Sequence, residues 1–368
     1  MRSLVRRSCD YWKNTISNLL SANFRYMTRF NKNDALNLLS KLTFQRIWNG
    51  AKVLSSFYVS KWTGKSIQWG SPIAISVEPT TSCNLRCPEC PSGLRAFTRP
   101  TGMLQKNFFK QTIDQLANEL FYLTFYFQGE PYLNPSFLEM VQYAHSKKIY
   151  TTTSTNAHYL TEENARKTIE SGLDRLIISI DGTTQEVYQK YRVGGKLDKV
   201  LEGAKNIVRY KKEMRSKTPF VIFQFLVVKP NEHQIEHVRQ LANEMGVDAV
   251  WFKTAQVYDY ENDPHQLIPV NEKYSRYKKV NGQYQFKNAM SNHCWRLWHA
   301  PVITWDGMVV PCCFDKDAQH QLGDLKQKSF KEIWNDEGYV NFRKQLSKSR
   351  KNIDICANCS EGTKVWET

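Results

Sequence analysis

Six short apolar segments, separated by helical patterns, constrain the fold of this 368-residue chain. They cover residues 73–77, 121–127, 150–155, 176–180, 221–228 and 249–252 and are rich in β-branched and aromatic residues. Between them, Thr161 is a candidate N-cap, Thr183-x-x-Glu186 has the form of a capping box, and Gly246 ends another helical pattern. Strands that alternate with helices pair in parallel, so the sequence predicts an α/β fold whose sheet is open or closed into a barrel.

Each apolar segment is followed by polar residues or glycine. These are a cysteine-containing loop, then Gln128-Gly129-Glu130-Pro131, Ser154-Thr155-Asn156, Asp181-Gly182, Lys229-Pro230-Asn231 and Lys253-Thr254. Taken singly, a Gly-Glu-Pro or an Asp-Gly is an ordinary turn. In parallel α/β folds, however, the carboxyl ends of the strands form one face, and ligands bind there. We therefore expect the six segments to surround one site.

The first of these loops contains Cys83, Cys87 and Cys90 in a C-x3-C-x2-C pattern. Three thiolates in one short loop indicate a metal site with one ligand fewer than a structural zinc site or a closed iron–sulfur cubane requires. A 4Fe–4S cluster held there would keep one iron open to a small molecule. Zinc is the alternative, although three cysteines without a fourth ligand make a poor zinc site.

A second set of cysteines lies further along the chain. It consists of Cys294, Cys312, Cys356 and Cys359. A predicted hairpin with a tight turn at Asp306-Gly307 leads into Cys312. Four ligands close a cluster, which then carries electrons instead of binding substrate, and zinc is again the alternative. Cys313 could replace Cys312 as a ligand, and Cys9 has no predicted role.

The first cysteine loop resembles the cluster loop of the radical S-adenosylmethionine (SAM) superfamily, and the second set resembles that family's twitch, or shortened SPASM, domain. The resemblance covers residues 71–368. It implies a partial (β/α)6 TIM-like barrel over residues 71–265, after a helical N-terminal extension over residues 1–70. Residues 266–368 would form a linker and a small α+β auxiliary-cluster domain, and the polar, tyrosine-rich residues 257–290 indicate where the linker lies. A full SPASM domain needs more cysteines, so one auxiliary cluster is favoured.

The resemblance also implies the cofactors, which are SAM and two 4Fe–4S clusters. The amine and carboxylate of SAM would chelate the open iron of the first cluster. Reductive cleavage of SAM would then release methionine and a 5′-deoxyadenosyl radical, which abstracts hydrogen from the substrate. The family's SAM contacts match Gly129 and Glu130 for the amine, Ser154 and Asn156 for the ribose, and Ser179 and Arg192 for the carboxylate. Asp181 is assigned to a turn.

A closed auxiliary cluster suits a net two-electron oxidation of a small alcohol or sugar-like substrate, as in the twitch-bearing dehydrogenases of aminocyclitols. Such an oxidation needs a proton acceptor, and Lys229 and Lys253 are candidates, together with Arg95 and Arg99. The alternative is a SPASM-type peptide or protein maturase. Residues 1–70 do not have the pattern of a strand-bearing peptide-recognition module, which favours the small substrate. The expected electron donor is a flavodoxin or ferredoxin.

The net charge of +16 is concentrated in residues 1–70, which hold twelve Lys and Arg against two Asp. Apolar residues recur at helical spacing over residues 11–29 and again from Asn33-Asp34, a candidate N-cap, to Tyr58. Such helices either pack on the body or attach to an anionic membrane surface, and no nucleic-acid motif accompanies them. With no secretory signal and no apolar run that spans a bilayer, the expected location is cytoplasmic, at most peripheral to a membrane.

Overall fold

The computed structural model describes residues 32–288 and 290–361. The helix predicted over residues 11–29, and Cys9, lie outside the described residues. The chain begins with α1 (Lys32–Ser40), α2 (Phe44–Thr63), β1 (Ala74–Val77), α3 (Pro91–Leu94), α4 (Lys106–Asp114), β2 (Tyr122–Thr124), α5 (Phe137–Ser146), β3 (Tyr150–Thr155), α6 (Glu162–Glu170), β4 (Arg175–Ser179), α7 (Gln185–Tyr191), α8 (Leu197–Glu213), β5 (Phe220–Val227), α9 (Ile235–Met245) and β6 (Ala249–Thr254). It continues with β7 (Tyr277–Val280), β8 (Gln283–Phe286), α10 (Arg296–His299), β9 (Val302–Ile303), β10 (Met308–Val310), β11 (Gly323–Asp324), α11 (Phe330–Asn335), α12 (Glu337–Lys348) and α13 (Asp354–Ala357).

Nine strands form one sheet in the order β11-β10-β9-β1-β2-β3-β4-β5-β6. From β1 to β6 each strand is parallel to the next, with helices in the connections. Leu123, Ile178 and Phe223 point to the outer side, where they join the main hydrophobic core with the helices. Ile177 and Ile222 belong to a separate cluster on the inner side. The predicted partial (β/α)6 barrel is confirmed, and its carboxyl strand ends meet at one face.

The C-terminal residues add three strands to the same sheet. β9 pairs in parallel with β1, with Ser76 opposite Val302, and in antiparallel with β10. The turn between β9 and β10 contains Gly307 at φ 95°, a conformation that suits glycine. The predicted hairpin is therefore confirmed, and it leads directly towards Cys312. The small C-terminal part is joined to the barrel by backbone hydrogen bonds.

Helix ends mostly follow the local sequence signals. The side chain of Thr161 caps α6 by accepting from the backbone N–H of Asn164, and Gly246 ends α9 in the left-handed conformation. The capping box predicted at Thr183 is wrong. Thr184 is the N-cap of α7, and its side chain accepts from the N–H of Val187, while the N–H of Thr183 donates to the side chain of Gln234 at 2.8 Å.

The segment predicted as a linker over residues 257–290 is folded. It forms the β7–β8 hairpin, and Tyr277 stacks on Tyr260 with ring centroids 4.9 Å apart. Buried Leu267 and Ile268 join Leu85 of the first cysteine loop in one hydrophobic cluster. The tyrosines and isolated apolar residues of this segment therefore cover the first cysteine loop. Because the segment is polar on average, its composition did not indicate this role.

The two helices that precede the barrel pack on the rest of the chain with one face. Phe57 of α2 contacts Trp295 and Trp298 of the C-terminal part edge to face, at 5.3 and 5.4 Å between ring centroids. The other face keeps large apolar residues exposed, among them Phe44 (83%) and Trp48 (60%). α1 begins at Lys32, so the predicted cap residues Asn33-Asp34 lie in its first turn. No helix of the described residues is long and apolar enough to cross a membrane.

Candidate active site

The first cysteine loop follows β1 and is held by the neighbouring strand ends. The backbone N–H of Arg86 donates to the carbonyl of Val193 at 2.9 Å, and that of Glu130 donates to the carbonyl of Ser82 at 2.7 Å. The loop is therefore tied both to the segment after β2 and to the segment after α7. These contacts fix the loop before any cofactor is considered.

The thiols of this loop influence one another. Cys87 is buried, while Cys83 and Cys90 are half-buried. Burial, with smaller contributions from Glu130 and from the charges of Cys90 and Cys87, raises the pKa of Cys83 to about 11. Burial also raises the pKa of Cys87, against the opposing charge of Arg192. Neighbouring thiolates repel one another, and a metal centre supplies the positive charge that makes them good ligands, so the donor set fits an iron–sulfur cluster that binds each sulfur at a different iron.

Nitrogen donors surround two of the three sulfur atoms. The backbone N–H of Leu85 donates to Sγ of Cys83 at 3.4 Å, and Nδ2 of Asn156 lies 3.9 Å from the same sulfur. Nη1 of Arg192 lies 3.9 Å from Sγ of Cys87. Donors around cysteine sulfurs stabilise them as thiolates and tune the potential of a bound cluster.

The segment after β2 places a buried carboxylate beside the cysteine loop. A Cβ at Gly129, whose φ is 75°, would lie 2.1 Å from the carbonyl oxygen of Thr80, so only glycine fits there. The carboxylate of Glu130 accepts from Oγ1 of Thr155 at 2.7 Å and from the N–H of Asn156 at 2.8 Å. Burial outweighs these hydrogen bonds and raises the pKa of Glu130 to about 7. A nearby ammonium group would favour its ionised form.

We expect SAM to bind more weakly as the pH falls through about 7, the raised pKa of Glu130. Below that pH the Glu130 carboxyl is protonated in the folded protein, whereas an exposed glutamate would still be ionised. The predicted anionic acceptor for the SAM amine is then lost. Isothermal titration of the iron-loaded protein between about pH 6 and about pH 7.5 measures the effect. Glu130→Gln should bind weakly throughout, and an equal pH dependence in that variant would contradict the assignment.

The residues predicted to contact the ribose and carboxylate of SAM come together at the same strand ends. Oγ of Ser154 on β3 lies 3.3 Å from Oγ of Ser179 on β4. Nδ2 of Asn156 donates to Oδ1 of Asn84 in the cysteine loop at 2.7 Å. The geometry thus gathers these side chains around the first cysteine set, while their contacts with SAM stay predictions.

An ion pair that the sequence analysis missed holds Arg192. Its Nε donates to Oδ2 of Asp181 at 2.5 Å, and Oδ1 of Asp181 accepts from the N–H of Leu226 at 2.7 Å. The Asp181 side chain is fully buried. An Asp-Gly after a strand is an ordinary turn signal, so only the contact with a residue eleven positions later reveals this role.

The second cysteine set also forms one group. Cys294, Cys356 and Cys359 are buried and Cys312 is half-buried. Burial, followed by the charge of Cys294, raises the pKa of Cys356 to about 12. Among the described residues, no three His, Cys, Asp or Glu side chains are placed to hold a single metal ion. A cubane instead binds each thiolate at a different iron, which suits a more widely spread set.

The adjacent Cys312 and Cys313 have different neighbours. Besides Cys313, the thiol of Cys312 interacts with those of Cys359 and Cys294. The thiol of Cys313 acts on Tyr126, and it raises the pKa of Arg296 more than Cys294 and Cys312 do. This placement favours Cys312 as the fourth ligand, as the Gly-x4-Cys spacing predicts.

The inner side of the barrel carries polar side chains near the second set, where Tyr126 lies close to Cys313. After β2 and along the end of β5, partly accessible residues such as Tyr126 and Gln224 alternate with buried ones. Two buried polar atoms on this side, Oε1 of Gln224 and Nε1 of Trp251, have no hydrogen-bond partner within the described residues. Such atoms need a partner, so this inner surface suits a polar ligand.

Of the two predicted proton acceptors, Lys253 lies close to Glu361, Arg296 and Cys313. The surrounding protein lowers its pKa, against the charge of Glu361 and with a further contribution from Arg296, and its side chain is accessible to water. Nζ of Lys229 instead donates to Oε1 of Gln266 at 2.9 Å in an exposed position. Of the further candidates, Arg99 is held by a buried ion pair with Glu78 at 2.6 Å.

Two protein families match this chain. Residues 77–242 match the radical SAM superfamily, and residues 294–360 match the SPASM family, an iron–sulfur cluster-binding domain. A "Tungsten-containing aldehyde ferredoxin oxidoreductase cofactor-modifying protein" of Pyrococcus furiosus is 27% identical over 73% of this chain and 82% of its own length. An "AdoMet-dependent heme synthase" of Methanosarcina barkeri is 30% identical, and the match spans 49% of this chain and 49% of the synthase.

Solved structures share the fold. BtrN in complex with AdoMet and 2-DOIA is 19% identical with a TM-score of 0.51, over 82% of this chain and 98% of BtrN. SuiB of Streptococcus suis bound to S-adenosylmethionine is 14% identical with a TM-score of 0.57, over 74% of this chain and 68% of SuiB. The protein anSMEcpe with bound AdoMet is 17% identical with a TM-score of 0.58, over 78% of this chain and 85% of its own. At these identities the likeness concerns architecture alone.

Proposed function

We propose, from the membership of this chain in the radical SAM superfamily and its SPASM-type C-terminal domain, that it oxidises a small hydroxyl-bearing substrate by two electrons. As a member of this family, the chain uses SAM and two 4Fe–4S clusters and needs a reductant. When bound, these cofactors supply hydrogen abstraction by a 5′-deoxyadenosyl radical and an acceptor for the second electron. The proposed ligands of the two clusters are Cys83, Cys87 and Cys90 for the first, and Cys294, Cys312, Cys356 and Cys359 for the second.

The observation that carries this proposal is the position of Lys253 near Cys313, beside the second cysteine set. An alcohol becomes a ketone when its carbon loses a hydrogen atom and an electron and its hydroxyl group loses a proton. The site therefore needs a proton acceptor next to the substrate oxygen. Because surrounding protein lowers the pKa of Lys253, a larger fraction of its amine is neutral, and so able to accept a proton, than in a lysine with an ordinary pKa.

The unpartnered polar atoms on the inner side support a hydroxyl-bearing substrate. Oε1 of Gln224 can accept from a hydroxyl, and Nε1 of Trp251 can donate to one. The names of the two sequence relatives refer to cofactors, one as cofactor-modifying and the other as a heme synthase. Both observations favour a small molecule over a peptide.

Replacing Lys253 should separate hydrogen abstraction from oxidation. In Lys253→Met, we expect deuterium from a ring-deuterated substrate still to enter 5′-deoxyadenosine, while formation of the ketone falls by about 10²- to 10⁴-fold, the usual contribution of a positioned base. Mass spectrometry measures both products. Lys229→Met is the matched control, because that lysine is exposed and bonded to Gln266. Equal losses in the two variants would contradict the role of Lys253.

The proposed reaction is tested with the anaerobically reconstituted protein, a reductant, SAM, and a panel of deuterated sugars, polyols and aminocyclitols. The expected result is deuterium in 5′-deoxyadenosine and a product lighter by two hydrogen atoms. Deuterium transfer from peptides alone would favour the maturase function. A colourless protein that retains zinc after reconstitution with iron and sulfide would exclude the radical enzyme.

A further inference from the structure

Arg192 is oriented by one buried partner. Nε of Arg192 donates to Oδ2 of Asp181 at 2.5 Å. The guanidinium group is planar, so fixing Nε also fixes the directions of its two terminal nitrogens. One of these, Nη1, lies 3.9 Å from Sγ of Cys87. The ion pair therefore determines which edge of Arg192 faces the open side of the first cysteine set.

Asp181 is itself held by the ends of β4 and β5. Its Oδ1 accepts from the N–H of Leu226 at 2.7 Å, and its carbonyl oxygen accepts from Nδ2 of Asn231 at 3.0 Å. Oδ1 of Asn231 accepts in turn from the N–H of Val228 at 2.8 Å. The carboxylate is thus attached to the sheet, whereas Arg192 belongs to the segment after α7. Because the sheet fixes the Asp181 carboxylate, the ion pair also fixes the position of the Arg192 guanidinium group.

The Asp181–Arg192 ion pair contributes more to the orientation of Arg192 than to the stability of the fold. The Asp181 side chain is fully buried and that of Arg192 is 17% exposed. Taking both charges out of water costs about as much as their attraction returns, so such pairs contribute little net stability. What the pair does provide is a single direction for a side chain that otherwise has many rotamers.

We propose that Asp181 is a positioning residue that aims Arg192 at the carboxylate of SAM beside Cys87. This inference depends on the proposed function, in which Arg192 binds that carboxylate. Without the charge of Asp181, the guanidinium group loses its fixed direction, and SAM loses an oriented partner with two parallel N–H donors. The cysteine ligands are untouched, so the loss should concern SAM and not iron.

The test is Asp181→Asn, which keeps the size of the side chain and the acceptor for Leu226 but removes the charge. In the iron-loaded protein we expect the Kd of SAM, measured by anaerobic isothermal titration, to rise about 10- to 100-fold, the usual effect of losing a supporting partner. Iron content should be unchanged. The electron paramagnetic resonance signal of the reduced protein should need correspondingly more SAM before it changes.

Asp174→Asn is the matched control, because Asp174 is also buried and ion-paired, with Nζ of Lys41 at 3.0 Å, but precedes β4 instead of following it. Its Kd for SAM should be native. A native Kd in Asp181→Asn, or equal losses in both variants, would overturn the positioning role.

Variants of Arg192 separate the two proposals. A native Kd in Arg192→Gln would show that the assignment of Arg192 fails. A raised Kd there with a native Kd in Asp181→Asn would leave that assignment standing and reject the role of Asp181. If Asp181→Asn does not load iron, Arg192→Lys is the deciding variant. It keeps the positive charge and the Asp181 side chain but lacks the planar guanidinium group. Its Kd should then rise about 10- to 100-fold, and a native value overturns the inference.

Discussion

Replacing Cys83, Cys87 and Cys90 together by alanine is expected to abolish the cleavage of SAM. The substitution removes every thiolate of this loop, and the groups that donate to Sγ of Cys83, the N–H of Leu85 and Nδ2 of Asn156, do not bind iron. The iron content should fall from about eight to about four atoms per chain, since one cubane of two is lost. Release of 5′-deoxyadenosine should fall by far more than the roughly 100-fold typical of losing a supporting residue.

The retained iron is the internal control of this experiment. If the auxiliary cluster still loads, the variant is folded and the loss belongs to the first site. Release of 5′-deoxyadenosine at the native rate would show that SAM is cleaved elsewhere.

Replacing Cys312 by alanine is expected to stop substrate oxidation while SAM is still cleaved. Cys312 interacts with the thiols of Cys359 and Cys294, so its loss should leave the auxiliary cluster with three ligands and no SAM to complete its coordination, and up to about four of about eight iron atoms should be lost. The first cysteine set stays intact and should still release 5′-deoxyadenosine. Mass spectrometry should find that the two-electron product is missing, because no acceptor for the second electron is left.

Cys313→Ala is the matched control, since it removes the neighbouring thiol on the same turn. We expect this variant to retain all its iron and to oxidise substrate. If Cys313→Ala loses the auxiliary iron and Cys312→Ala does not, Cys313 and not Cys312 is the fourth ligand of the auxiliary cluster.

Short-range sequence patterns were sufficient for the barrel and the first cysteine loop. Parallel strands have a fixed direction, so polar residues after successive strands must meet at one face, as Ser154 and Ser179 do at 3.3 Å. The hairpin before Cys312 was predictable for a similar reason, because the turn at Gly307 needs a positive φ that glycine adopts without strain.

Other parts of the site depend on contacts that no local pattern reports. Lys229 and Lys253 both follow predicted strands, but the backbone N–H of Lys229 donates to the carbonyl of Leu267, which lies in the folded segment over residues 257–290. The side chain of Lys229 is bonded to Gln266, while that of Lys253 lies near Cys313. The pairing of Asp181 with Arg192 was likewise invisible, because a turn aspartate and a buried ion-pair partner have the same local sequence.

The pairing of β9 with β1 has a consequence for how this protein is assembled. Ser76 lies opposite Val302, so the strand that carries the first cysteine loop is completed by residues synthesised more than two hundred positions later. Until then, β1 has one edge with unsatisfied backbone groups, which is a site for incorrect pairing and aggregation. Contacts this distant in sequence form slowly. A fragment that ends before β9 would therefore be an unsuitable preparation for studying the first cluster in isolation.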